Sequence, residues 1–434
     1  RLLRFVLPCI GTMLFTSIYG IVDGLCVSNF VGKTAFAAVN LIMPLPMLLG
    51  TIGFMLGTGG SAIVGITLGE GDQKKADRYF TLFLLAALIS VSVLAVLGIV
   101  FLRPIAVLLG AKGELLDYAV RYGRILMVSL PTFALQNMFQ SFFVTAEKPH
   151  LGFWFTVGAG CTNMVLDVLM VGIWGWGVEG AAIATFISQL VGGVLPVFYF
   201  IDRSNSSRLH LCKTSFYSKV LRDACINGSS ELMTNLSMSL VNILYNYQLL
   251  RLAGENGVAA YGVIMYAAFL FVAVFVGYAV GSAPIVSFHY GARNHAEVHN
   301  LYRKSLRLIA VVAVTLTLAS MFIIPCVARI FVGYDAELLA LTSRAFRLYA
   351  LSFLIMGFNV YASSFFTALG DGVTSALISF LRTLAFQVIA ILLLPLLLGI
   401  DGIWLAVTAA ELAALAVSAA MLLTKDKVFH YRKA

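Results

Sequence analysis

Residues 5–32 read FVLPCIGTMLFTSIYGIVDGLCVSNFVG, and this stretch decides the class of fold. Arg4 and Lys33 flank it, and Asp23 is the only ionisable acid inside it. A helix of about 20 residues crosses a hydrocarbon core of about 30 Å, so the stretch is long enough to span a membrane. A carboxylate within such a span costs about 2.5–3.5 kcal/mol on insertion scales and usually serves a function. Asp23 therefore predicts a functional site, with partners supplied by other spans.

The composition indicates a polytopic membrane protein. The 434 residues are 60% hydrophobic and 11% charged, with a mean hydropathy of +0.95. A soluble domain cannot bury that much apolar surface. The net charge of +9 does not indicate a nucleic-acid partner, because the basic residues sit in short loops between apolar runs. The six cysteines form no CxxC pair and are predicted to be small packing residues.

Twelve apolar segments are long enough to span a bilayer, and with no water to satisfy backbone groups they must be helices. We number them as spans 1 to 12. Their approximate limits are 5–31, 36–67, 79–102, 119–145, 151–173, 177–201, 223–249, 258–289, 305–328, 341–368, 373–397 and 399–424. An even number of spans places both termini on one side. That side carries 19 of the 29 Lys and Arg residues and the other carries nine, so the positive-inside rule predicts cytoplasmic termini and a cell-membrane location.

An internal repeat divides the chain. FVGKTAFAAV (30–39) aligns with LAGENGVAAY (252–261), and the same offset aligns GVEG (177–180) with GIDG (399–402) and Asn137 with Asn359. The sequence therefore predicts two six-helix lobes, related by a pseudo-two-fold axis along the membrane normal. The predicted domains are an N-terminal lobe over 1–201, a cytoplasmic linker over 202–222 and a C-terminal lobe over 223–434.

Three residues of the first half are candidate partners for Asp23. Asp167 in span 5 shares a helix face with Asn163, one turn earlier, and Thr185 lies in span 6. At about 1.5 Å per residue, Asp23, Asp167 and Thr185 lie about 9–13 Å below the outer helix ends, so all four groups can meet in one layer. Their oxygens suit Na⁺ or a shared proton better than a soft metal. A satisfied hydrogen-bond network is the alternative.

The repeat provides an internal comparison for this group. The equivalent positions of the second half hold Tyr245, Ala385, Ile389 and Val407, so that half lacks the oxygen ligands. This asymmetry indicates that the four residues of the first half serve a function rather than a purely structural role.

The chain resembles the multidrug and toxic compound extrusion (MATE) family, in its bacterial and archaeal DinF-like or MepA-like branch. The resemblance rests on IVDGLCVSNFVG in span 1, LGEGDQKKA after span 2, NMVLD in span 5 and the six-plus-six repeat. It implies a cation site in the N-terminal lobe at Asp23, Asn163, Asp167 and Thr185, and a proline that bends span 1 at Pro8. Other branches place a coupling glutamate deep in span 7, where this chain has Met238. Glu231, nearer the start of that span, is a weaker candidate, with a cytoplasmic-end hydrogen bond as the alternative.

Other polar residues within the spans have structural or cavity-lining interpretations. Arg382 and Glu411 lie at matching depths in consecutive spans, which predicts a structural ion pair. A further set is predicted to line a substrate cavity, and for its members in spans 4, 6 and 7 hydrogen bonds that join helices are the alternative. This set comprises Tyr19, Asn137, Gln189, Asn235, Asn242, Asn246 and Asn359.

The resemblance and the acid cluster together predict a cation-coupled antiporter that exports amphipathic, often cationic, organic compounds by alternating access. A lipid-linked oligosaccharide flippase of the same superfamily is the alternative, although it needs more interior cations than Arg382 alone. The chain has no HExxH or GxSxG motif and no nucleotide loop, so we expect no enzymatic activity. We also expect no cofactor and no metal beyond Na⁺, with H⁺ or Na⁺ as coupling ion. The expected partners are small organic molecules and the lipid bilayer, not nucleic acid, and the expected state is a monomer.

Overall fold

The computed structural model describes residues 2–432, and these form helices and short connections without a β-strand. Span 1 is the helix Leu2–Phe30 and span 2 combines Lys33–Ile42 with Pro44–Gly69. Spans 3 and 4 are Gln73–Leu108 and Glu114–Thr145. Span 5 is Pro149–Asp167 with a π-helical turn Val168–Ile173. Span 6 runs through Gly177–Gln189, a π-helical turn Leu190–Val194 and Leu195–Ile201.

The second half begins with a short helix, Ser218–Asn227, that precedes the membrane. Spans 7 and 8 form one helical stretch, Ser229–Gly291, which turns at Gly254. Span 9 is His295–Val332, and span 10 is Ala336–Ala350 followed by Phe353–Ala368. Span 11 is Gly372–Phe380, a π-helical turn Leu381–Ala385 and Phe386–Leu398. Span 12 is Ile400–Thr424, and the short helix Asp426–Phe429 follows it.

The described chain contains the twelve predicted spans, although fewer of its helices are long and apolar enough to be recognised as membrane spans by those two criteria alone. Nine helices qualify, or ten if the two parts of span 10, bent by 45°, count as one. Gly254, with φ of 63°, breaks the 63-residue stretch into two spans. Glu114–Thr145 completes the set; the amides Gln136, Asn137 and Gln140 in its interior lower its apolarity.

The duplication is visible in the backbone. Asp72 and Asn294, which occupy equivalent positions of the repeat, each cap a helix by accepting a hydrogen bond from the backbone N–H of the third residue after them. Gly177 and Gly399, another equivalent pair, adopt φ values of 63° and 64° where span 6 and span 12 begin. A left-handed conformation at both points is readily available only to glycine. The same turn chemistry therefore recurs in both halves.

The two halves pack against each other at the end of the bundle that carries the termini. One hydrophobic cluster there joins Phe5, Val6 and Cys9 of span 1 to Ile285 and Val286 of span 8. Toward the opposite end, the clusters are confined to one half each. We call the shared contact the seam: residues 5–10, 59–69 and 277–291. The bundle is closed at the seam and divided beyond it.

Glycine allows the seam to form. A Cβ at Gly277 would lie 2.5 Å from Cα of Ile10, and one at Gly281 would lie 2.8 Å from Cα of Val6. Distances this short are not tolerated, so only residues without a side chain let spans 1 and 8 approach so closely. Small residues are the usual means of close helix packing in membranes.

The linker and the tail are fixed to separate halves. Linker residues bind span 3, where Asp77 Oδ1 accepts a hydrogen bond from the His210 backbone N–H at 3.1 Å. Span 7 begins at Ser229 rather than near residue 223, because the chain turns at Gly228, which contacts the carbonyl of Met55. In the second half, Lys425 lies 3.0 Å from Asp371. Burial alone would raise the pKa of Asp371, but hydrogen bonds from Thr374 and Lys425 leave it below its usual value.

Replacing Gly277 by alanine should loosen the seam. Overpacking a close contact costs about 1–3 kcal/mol, so the seam should open more often and expose Cys9, which is 5% accessible. We expect alkylation of Cys9 by N-ethylmaleimide, in a chain whose other cysteines are replaced by serine, to accelerate about tenfold in Gly277→Ala.

The matched control is Gly262→Ala in the same span, where an added Cβ meets nothing within 4 Å. Its alkylation rate should equal that of the parent. Equal rates in both alanine variants would show that the seam does not depend on glycine.

Candidate functional site

Two carboxylates from different spans are buried side by side in the first half. Asp23 projects from the unbroken helix of span 1 and is 9% exposed, whereas Asp167 in span 5 is fully buried. The two groups lie close enough for each to act on the charge of the other. Asp167 is also the last α-helical residue before the π-helical turn Val168–Ile173. Such turns often occur at functional sites.

The neighbouring amide and hydroxyl are also in place. Asn163 Nδ2 donates to Thr185 Oγ1 at 3.4 Å, and Thr185 Oγ1 donates to the Ala181 carbonyl at 3.0 Å. Asn163 lies one helical turn before Asp167 on the same face. The structure therefore brings together the two acids, and it joins Asn163 to Thr185.

Four acceptor oxygens in this group lack a donor among the described residues. They are Asp23 Oδ1, both carboxylate oxygens of Asp167, and Asn163 Oδ1, all fully buried. A buried acceptor without a donor costs about 1–3 kcal/mol, and more when it is charged. A proton or a hard cation would satisfy such oxygens. Among the described residues there is no cluster of three or more His, Cys, Asp or Glu, so a transition-metal centre has no support here.

The surroundings of the acid pair are neutral. The phenols of Tyr19 and Tyr122 and the thiol of Cys26 lie close enough to interact electrostatically with one or both carboxylates. Described ion pairs in the chain include neither Asp23 nor Asp167. Without a basic partner, two ionised carboxylates at this depth repel one another, so the pair favours uptake of a cation.

Pro8 lies within the helix Leu2–Phe30, near the seam rather than near Asp23. Proline has no backbone N–H, so the carbonyl of Arg4 loses its usual helical donor. The Pro8 carbonyl itself accepts a hydrogen bond from Thr12 Oγ1 at 2.9 Å. Whether span 1 bends here in another state stays a prediction.

The residues predicted to line a substrate cavity fall into three groups. Tyr19 lies near Asp23, within interaction range of the Gln136 side chain. Asn137 Nδ2 and Gln189 Oε1 are buried without a partner among the described residues. In span 7, Asn242 is exposed, while Asn235 and Asn246 are partly exposed.

The prediction for Asn359 needs correction. This residue is fully buried, donates to Glu411 Oε2 at 2.7 Å and accepts from Ser418 at 3.0 Å. Its amide is thus committed to a network within the second half and does not reach a cavity.

Arg382 and Glu411 are joined at the centre of this network. Arg382 Nε donates to Glu411 Oε1 at 2.9 Å, with side chains 13% and 1% exposed. The acid is thereby held by a guanidinium on one oxygen and by an amide on the other. This is the satisfied arrangement that the acid pair of the first half lacks.

Sequence reasoning missed the hydroxyl-rich wall of a cavity of about 190 Å³ between the two halves, and none of the seven residues predicted to line a substrate cavity belongs to that wall. Ten Ser and Thr side chains, Glu231 and Arg382 line it, together with apolar groups such as Val272 and Met238. A signal was present in the sequence, because Ser and Thr recur at four-residue spacing in Ser363 and Thr367 of span 10 and in Ser375 and Ser379 of span 11.

A duplicated bundle of twelve spans, with ionisable side chains buried among the spans, is the architecture of a membrane transporter. The comparisons identify the family. The MatE family model matches residues 8–169 and again 232–393. This chain therefore belongs to the MatE family, whose members are membrane transporters.

Relatives and solved structures agree with this assignment. The multidrug export proteins MepA of Staphylococcus saprophyticus and Staphylococcus aureus (strain MSSA476) are each 21% identical to this chain, over 98% of it and 94% of their own length. A structure described as the outward-facing conformation of a multidrug resistance MATE family transporter of the MOP superfamily superposes with a TM-score of 0.93. It is 23% identical and covers 100% of this chain and 96% of that chain. At this identity the superposition establishes the fold.

The acid pair should make thermal stability depend on cations. A ligand present at 100 times its Kd stabilises the folded state by about 2.7 kcal/mol, or a few degrees in Tm. We expect either NaCl, compared with choline chloride, or acidification to raise the Tm of the purified protein. Asp167→Asn, which removes the charge and replaces one acceptor oxygen by an NH₂ donor, should abolish that dependence.

The control is Asp117→Asn, which removes an exposed carboxylate from the first turn of span 4. It should respond as the parent does. A parental Tm that is insensitive to both cations, or an equal response in Asp167→Asn, would contradict a cation site at the acid pair.

Proposed function

We propose that this chain is a cation-coupled antiporter that exports amphipathic, often cationic, organic compounds. The observation that carries the proposal is the buried, unpaired acid pair Asp23 and Asp167, beside Asn163 and Thr185. Membership of the MatE family and the likeness to multidrug export proteins support the substrate class. No nucleotide-binding motif occurs in the sequence, so the energy source would be an ion gradient.

The coupling ion is H⁺ or Na⁺. Both are taken by carboxylate, amide and hydroxyl oxygens, which are the groups that converge in the first half. When the two acids are ionised they repel each other, and uptake of a cation removes that repulsion. Binding free energy from the cation is thus available to change the position of span 1 relative to span 5.

The transport cycle would be alternating access. The seam closes the terminal end of the bundle, and the apolar clusters toward the other end are confined to single halves. This arrangement suits a state that is open to the side opposite the termini. Cation uptake from that side would repack span 1, around Pro8, and release substrate. Linkage requires the cation and the substrate to weaken each other's binding by the same factor.

The orientation follows from charge. With 19 of 29 Lys and Arg residues on the side of the termini, both termini would be cytoplasmic and the seam would be the cytoplasmic gate. The protein would act as a monomer in the cell membrane, on small organic substrates.

A lipid-linked oligosaccharide flippase is less favoured. A pyrophosphate head group calls for several interior cations. Arg382 is the one basic side chain that lines the cavity between the halves, as far as the described residues show, and Glu411 already accepts from its Nε. The family match also assigns the chain to the MatE family.

The decisive test is dye efflux from proteoliposomes under separately imposed proton and sodium gradients. We expect one of the two gradients to drive efflux of a cationic dye in the parent protein. Asp23→Asn should abolish that gradient dependence, because the amide cannot gain and lose charge, while the protein still reconstitutes.

Asp117→Asn serves as the control and should transport as the parent does. Efflux that is unchanged in Asp23→Asn would exclude this residue from coupling. Release of a chemically altered product rather than the intact dye would favour an enzyme over a carrier.

A further inference from the structure

The cavity between the halves has polar features that the cation site does not use. Its wall comes from spans 2 and 4 of the first half and from spans 7, 8, 10 and 11 of the second. It encloses about 190 Å³ and lies directly beyond the seam residue Ser287. A cavity that both halves line is positioned to be opened and closed when the halves move.

Arg382 offers unused hydrogen-bond donors to this cavity. Its Nε is bonded to Glu411, whereas Nη1 and Nη2 have no hydrogen-bond partner among the described residues. The side chain lines the cavity and is 13% exposed. A guanidinium bound only through Nε retains the two terminal N–H groups that form the fork for a carboxylate.

The guanidinium is also held in position by a chain of hydrogen bonds on the side of its Nε. Glu411, which binds its Nε, is itself bound by Asn359, and Asn359 accepts from Ser418. All three supporting side chains are buried. A fork fixed by such a chain loses little freedom when it binds a ligand, which increases affinity.

The cavity wall also contains one acidic side chain that is not bonded to Arg382. Glu231 lines it from the first turn of span 7 and lies within Coulombic range of Arg382, but the two do not form an ion pair within 4.0 Å among the described residues. The two side chains therefore do not neutralise each other by direct contact. Around them stand ten Ser and Thr side chains, and Val272, Val276 and Met238 add apolar surface.

We propose that this cavity binds zwitterionic organic substrates of the amino-acid type. The substrate carboxylate lies on Nη1 and Nη2 of Arg382, its ammonium group faces Glu231, and its apolar body packs on Val272 and Val276. The hydroxyl groups bind the remaining polar atoms. This proposal rests on the proposed function only where the substrate is carried across the membrane, because binding of the substrate needs no ion gradient.

A purely structural ion pair explains these features less well. A guanidinium that served only to satisfy Glu411 would do so best through a bidentate contact from its terminal nitrogens. Here the terminal nitrogens face a cavity that already holds a second acid. A guanidinium in the wall favours substrates that carry an anionic group, which a monocationic drug does not.

The test compares phenylalanine with its methyl ester, which has the same apolar body and ammonium group but no carboxylate. Radiolabelled phenylalanine is bound to the full chain in nanodiscs without an ion gradient, and unlabelled ester competes. A charge-assisted hydrogen bond is worth about 1.5–3 kcal/mol, so the ester should bind at least about tenfold more weakly. Glu231→Gln should weaken both compounds, since both carry the ammonium group.

The key variant is Arg382→Gln combined with Glu411→Gln, which removes both charges and leaves no buried charge unpaired. Its preference for phenylalanine over the ester should disappear. The matched control, Arg344→Gln with Asp401→Asn, neutralises another Arg–acid pair, in which Arg344 Nε donates to Asp401 at 2.9 Å, and should keep the preference.

Failure of this proposal is distinguishable from failure of the coupling proposal. Asp23→Asn should lose gradient-driven efflux yet keep the preference for phenylalanine. No saturable binding of phenylalanine, equal affinity for the ester, or an unchanged preference in the Arg382 and Glu411 variant would each overturn the assignment of a zwitterion site.

Discussion

The structure depends on one constraint: within hydrocarbon, a polar group must find its partner inside the protein. The helices meet this requirement for the backbone. In the second half the buried pair Arg382 and Glu411 meets it as well, because both bind each other and Asn359 binds Glu411. In the first half the acid pair does not, since Asp23 and Asp167 are buried without a donor or a counter-charge among the described residues. The missing partner is the physical reason to expect a mobile cation there.

The duplication makes this contrast sharper. Equivalent positions of the two halves hold Gly160 and Arg382, Gln189 and Glu411, and Asn137 and Asn359. One half thus has an ionic network where the other has a glycine and two amides, and the space beside Gly160 is filled by Phe15 and Tyr19. The absence of a guanidinium at that point leaves the described interior of the first half without a positive charge near the acid pair. One scaffold accordingly holds a satisfied ionic network in one half and an acid pair without a counter-charge in the other.

Much of the fold could be predicted from the sequence, since each span is a long apolar run and the repeat is visible at several motifs. The breaks within spans 2, 5, 6, 10 and 11 could not, because they depend on contacts between helices. The turn at Gly228 follows from its approach to Met55, which no local pattern encodes. The proximity of Asp23, Asn163, Asp167 and Thr185 was predicted from helix depth alone. The error at Asn359 has the same origin, because depth does not reveal that Glu411 and Ser418 lie beside it.

Span 1 connects the two regions that the proposed cycle must couple. Asp23 stands near one end of this helix, and Val6, Cys9 and Ile10 form the seam near the other, about 20–25 Å away along a helix. A continuous helix transmits displacement along its axis, and the glycine-lined seam tolerates only small shifts before its contacts break. A change of charge at the acid pair that moves span 1 must therefore strain the seam. The cavity borders that seam, so opening the contact would also change the distance between the cavity walls, and in the proposed cycle the cation and the substrate would compete through span 1.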